Sequence, residues 1–113
     1  MAAGVSGLAA LGEDPSPQLL RDLLHSVIDP ELGVDIVELG LVREVRVRDG
    51  VARVRFTVTT PACPLSGYLE DEIHACLQDA PGLRQVLVEC DLEPPWKPAD
   101  MSATARAALG WEG

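Results

Sequence analysis

The sequence predicts an α+β fold. It reads as a small two-layer sandwich in the order helix, strand, strand, helix, strand, short helix, with the helices packed on one face of a three-stranded or slightly larger sheet. Three observations predict this. Two alternating apolar/charged runs flank Asp49-Gly50, a strong two-residue hairpin signal. Two other stretches repeat their leucines at helical spacing. A third alternating run follows the second of these stretches.

In the first helix, Ser16 is placed to cap and Pro17 suits the first position. Leu19, Leu20, Leu23, Leu24 and Val27 share a face, and Pro30 ends the helix because the residue before a proline avoids the α region. Residues 29–40 form an acidic, glycine-punctuated connection too irregular to be one element. Val42, Val45 and Val47 then mark a half-buried strand over about residues 42–48. Val54, Phe56 and Val58 alternate with Arg53, Arg55 and Thr57 in its antiparallel partner, about 51–59. Leu65, Leu69, Ile73, Cys76, Leu77 and Ala80 line the second helix, which Pro81-Gly82 stops. Val86, Val88, Cys90 and Leu92 alternate in the third strand, terminated by Pro94-Pro95. Ser102 and Gly110 cap a short final helix.

The 113 residues are one domain's worth, long enough for a modest core without staples. Residues 1–15 read as a disordered tail and 16–113 as one domain. With aromatics at 4%, that core must be built from Val, Leu, Ile and Ala. A net charge of −9 argues against nucleic acid as a partner and against an anionic membrane surface. No apolar run reaches the roughly 20 residues that span a bilayer. Three cysteines without a CxxC pair do not make a disulfide framework, which favours a reduced, cytoplasmic setting.

Cys63 stands in Pro61-Ala62-Cys63-Pro64, a turn between a strand and a helix start. Unpaired N–H groups and the helix dipole there favour a thiolate, which is both nucleophile and metal ligand. Cys76 and Cys90 fall on apolar faces and read as core thiols. Strand alternation puts Thr60 on the side of Phe56 and Val58, with Thr59 facing the other way. Asp29, Glu31, Asp35 and Glu38 supply carboxylates that either serve the thiol as bases or co-ligands or simply cap turns and solvate the surface. Spacing alone does not bring them to Cys63. His25 and His74 lack metal-ligand spacing to a cysteine, and no P-loop, GxGxxG or HExxH motif is present.

Three separated stretches, in order, carry a resemblance. Residues 29–42, opening Asp29-Pro30-Glu31-Leu32-Gly33, resemble the first signature of the DUF59, or MIP18-like, family. Residues 59–64 resemble its central motif, and 93–102 with Leu109-Gly110-Trp111 the C-terminal extension of its SufT-like bacterial members. The resemblance implies assembly of iron–sulfur clusters or their delivery to target proteins. It implies one pocket formed by Asp29, Glu31, Leu32, Thr59, Thr60 and Cys63, with Cys63 as a transient, shared ligand for iron or a cluster. The implied partners are iron–sulfur carrier or client proteins, or a second copy in a homodimer. Two other readings stay open: an enzyme with Cys63 as nucleophile, and a non-catalytic interaction subunit such as a PaaD-like phenylacetate-pathway protein. Trp96 and Trp111 are either partner anchors or packed over the domain's own sheet.

Overall fold

The computed structural model describes residues 14–60 and 65–110. Residues 1–13, Pro61–Pro64 and residues 111–113, Trp111 among them, lie outside these. The first helix, α1, runs Pro17–Leu23 and tightens into a 3-10 turn, Leu24–Ser26. Ser16 caps it, its Oγ accepting from the Leu19 N–H at 3.0 Å. So short a helix buries one narrow stripe. Leu20, Leu24 and Val27 enter the core, but Leu19 and Leu23 stay 44% and 38% exposed on the flank, against the expectation of a shared buried face. The helix also ends four residues before Pro30. Val27 is already extended and its carbonyl accepts from the Ile36 N–H, while Ile28 bridges Asp35. Pairing with the acidic connection therefore ends the helix before the proline can.

Strands β1 (Val42–Arg48) and β2 (Val51–Phe56) form the expected antiparallel hairpin, with Arg48 opposite Val51. Asp49 and Gly50 have φ of 52° and 78°, the positive pair that a twisted two-residue hairpin turn requires. Asp14, from the end of the stretch read as tail, accepts from both their N–H groups at 3.1 and 2.7 Å. The three-residue step from Val42 to Val45 breaks strict alternation. A β-bulge between Val42 and Glu44 absorbs the extra residue, so both valines are buried.

Helix α2 spans Leu65–Leu77 and carries the chain to β3, Gln85–Cys90. β3 lies parallel to β2, giving the order β1-β2-β3. Such a parallel pair needs a crossover, which α2 supplies. Leu69, Ile73 and Leu77 are fully buried from α2 against Ala52, Val54 and Phe56 of β2 and Val86 of β3. At about 1.5–3 kcal/mol for each such side chain, these three anchors outweigh any surface ion pair the domain has. Helix α1 packs on β1, α2 on β3, and the two helices touch.

Strand β2 stops at Phe56 rather than near residue 59. The Thr57 N–H turns to the Leu41 carbonyl, and the alternation cannot be carried on to Thr60. Thr60 is exposed, not on the side of buried Phe56 and Val58, and Thr57 is buried instead. β3 likewise ends at Cys90, which leaves Leu92 46% exposed. Beyond a cis Glu93–Pro94 bond, a 3-10 turn (Pro98–Asp100) leads into α3, Ala103–Leu109, capped by Ser102 and by Gly110 in the left-handed region. Met101 and Ala105 fasten this extension to the core.

Candidate functional site

The site begins with an aspartate turning the chain. Asp29 is fully buried, and its Oδ1 accepts from the N–H groups of Glu31 (2.7 Å) and Leu32 (3.2 Å). Its carbonyl accepts from Gly33, and its N–H donates to Val34. An aspartate that bonds its own backbone two residues on is the local way to fold such a segment. Asp35 repeats the device one turn later, accepting from Val37 and Glu38. The acidic connection is thus two successive side-chain-capped turns.

The first turn presents Glu31 outward, and Thr59 meets it: the Thr59 hydroxyl donates to Glu31 Oε1 at 3.3 Å across 28 residues of sequence. Leu32 is half-buried and packs on the core. Two of the expected site segments, 29–32 and Thr59, therefore adjoin. Thr60 is exposed, with no side-chain hydrogen bond among the described residues. Cys63 lies outside the described residues. Cys76 and Cys90 are half-buried against the core rather than fully enclosed, and the Cys76 thiol donates to the Leu23 carbonyl at 3.2 Å.

Two buried polar atoms lack a hydrogen-bond partner among the described residues: Asp29 Oδ2 and Thr57 Oγ1. Leaving such a group unpaired costs about 1–3 kcal/mol, so each marks a place where a partner would be gained. Thr57 and Thr59 also line a cavity of about 200 Å³, walled by Val58, Leu92, Pro95 and Trp96. Trp96 is not a free anchor. It is half-buried on the core, and its indole N–H donates to the Leu39 carbonyl at 2.7 Å. Thr57 and Trp96 were not in the expected pocket. The signals available were a buried-strand threonine needing a hydroxyl partner and an indole N–H needing an acceptor.

Beside this site, Asp91 accepts from the Glu93 N–H (3.0 Å) and from Arg55 (2.9 Å), and Arg55 also reaches Glu44. The Glu93 N–H above all, with Arg55 assisting, holds the Asp91 carboxyl below its ordinary range against the opposing effect of desolvation. Asp91, followed by Glu44, raises Arg55 in turn. A further group joins the acidic connection to the end of α1 and the cap of α3. His25 Nδ1 lies 3.0 Å from Asp35 and 3.9 Å from Glu38, and the Ser102 hydroxyl bonds Glu38. Gly40 closes the same junction: its φ is +77°, and a Cβ there would collide with the Asp100 carbonyl.

Comparison with known proteins agrees with this architecture. The family model described as "Iron-sulfur cluster assembly protein" matches residues 18–90. The Fe-S protein maturation auxiliary factor YitW of Bacillus subtilis is 39% identical over 99 residues, 87% of this chain and 97% of that protein. The Fe-S protein maturation auxiliary factor SufT of Staphylococcus aureus is 44% identical over 85 residues, 74% of this chain and 97% of its own. The crystal structure of a DUF59 domain from Bacillus anthracis superposes with a TM-score of 0.79 at 37% identity, covering 85% of this chain and 92% of that one.

Proposed function

The chain belongs to the iron–sulfur cluster assembly protein family, and from that premise we propose that it is a maturation factor that passes iron–sulfur clusters or iron to client proteins. The site is the acidic turn with the segment that follows β2. Cys63 is the transient ligand, and the cluster or iron is cargo. The observation that carries this placement is the Thr59–Glu31 hydrogen bond. Cys63 follows Thr59 by four residues and precedes the start of α2 by two. A thiol at a helix start is biased towards the thiolate.

Within the site, Asp29 shapes the turn, Glu31 and Thr59 form a polar wall, and Thr60 offers a solvent-facing hydroxyl. A cluster ordinarily takes four thiolates. With Cys76 and Cys90 packed on the core, one thiol per chain serves the cargo, and the remaining ligands come from a partner or a second copy. Such incomplete ligation suits handing on rather than storage.

Affinity capture from the native host, wild type against Cys63→Ala, tests the proposal. Enrichment of iron–sulfur proteins that Cys63→Ala loses is the expected result. A captured set without iron–sulfur proteins, or one that Cys63→Ala leaves unchanged, overturns it.

A further inference from the structure

We propose that the open face of the sheet docks an acidic segment of a partner protein. The helices cover the face that carries Val45, Val54 and Phe56. The opposite face carries Arg46 and Arg48 from β1 and Arg53 and Arg55 from β2, with Glu44 and Glu89 beside Arg55, and Arg84 joins them at the foot of β3. Five of the nine positive side chains thus gather on one surface of a chain whose net charge is −9. Concentrating cations against so acidic a background makes a local field that bulk solubility does not require.

Two of the five are paired with carboxylates nearby, and the other three are left largely free. Glu44 pairs with Arg46 at 2.7 Å and with Arg55 at 3.5 Å, and Asp91 takes Arg55 as well. Arg53 has no ion-pair partner among the described residues. Arg84 bonds the Asp49 carbonyl rather than a carboxylate. Arg48 lies 4.0 Å from Asp49 with both side chains almost fully exposed, a pairing of little worth. Arg48, Arg53 and Arg84 border a groove of about 460 Å³ at the hairpin end, and the half-buried Leu87 lies in its floor. Guanidinium groups bind carboxylates in bidentate fashion, and a single apolar contact fits an amphipathic strand or loop.

The same observations select polypeptide over other anions. None of the described aromatic residues lines this groove or the smaller one beside it, so bases have nothing to stack on. The net charge of −9 repels a dense phosphate array or an anionic bilayer more than a short acidic peptide.

The test is fluorescence anisotropy of a labelled ten-residue Glu-Val repeat, with its Gln-Val counterpart as control. Wild type should bind the Glu peptide at low salt and weaken about tenfold or more at 0.5 M NaCl. Arg53→Glu with Arg84→Glu should weaken it by about tenfold or more, and Arg53→Gln, which leaves the Arg84 bond to the Asp49 carbonyl in place, by a smaller factor. Equal binding of the Gln peptide, or full affinity in both variants, overturns the proposal. So does tighter binding of a single-stranded oligonucleotide or of phosphatidylserine vesicles. Salt-sensitive self-association that the double variant abolishes would assign the face to a second copy and overturn it too. Iron loading plays no part in this experiment.

Discussion

Asp29 commits one carboxylate oxygen to the N–H groups of Glu31 and Leu32 and holds the other buried beside them. Asp29→Ala strands both donors and should cost about 1–3 kcal/mol in urea unfolding. Asp29→Asn keeps an acceptor oxygen and should cost less; equal losses would mean that the turn does not depend on this acceptor. The turn-capping role was one of two readings the sequence left open, because Asp followed by Pro-Glu-Leu-Gly is turn chemistry. The Thr59–Glu31 contact was not legible from spacing. Twenty-eight residues separate the pair, and only the resemblance joined their motifs. Thr57 escaped notice because alternation assigned it to the polar face, whereas the chain leaves the ladder just there and buries it.

Among the elements, the hairpin was the most legible, since Asp49-Gly50 states its own backbone conformation. Gly50 has φ +78°, and a Cβ there would press on the Arg84 side chain. Gly50→Ala should therefore destabilise the domain by more than about 1 kcal/mol, read as a lower urea midpoint with unchanged slope. A neutral result would show that the turn relaxes to another form. Helix α2 was equally legible because its anchors recur at every fourth position. Helix α1 was less so. Periodicity marks which residues share a face but not how wide a face the core can cover, so Leu19 and Leu23, placed on one face with Leu20, Leu24 and Val27, stay exposed on its flank. The Val42–Val45 step shows the same gap, for a bulge is invisible to a rule of strict alternation.

For the whole molecule, tertiary pairing decides where elements stop. The Ile28–Asp35 bridge cuts α1 short, and the Thr57–Leu41 bond ends β2. Among the described residues no helix is long and apolar enough to cross a membrane. Asp91 contributes to the domain's acid response, because its carboxyl titrates lower when folded than when unfolded. Its contribution is complete above the unfolded value, about 3.9, and is lost as pH falls through the lower folded value. The stability gap between wild type and Asp91→Asn should thus be full at neutral pH and close in acid; a pH-independent gap would contradict this. The central claim, that Cys63 takes iron or a cluster in transit, is tested most directly by anaerobic reconstitution. Visible absorbance and iron per chain are compared for wild type and Cys63→Ala. The account predicts that wild type takes up iron with a charge-transfer spectrum that the variant lacks, while equal spectra and equal iron in both would contradict it.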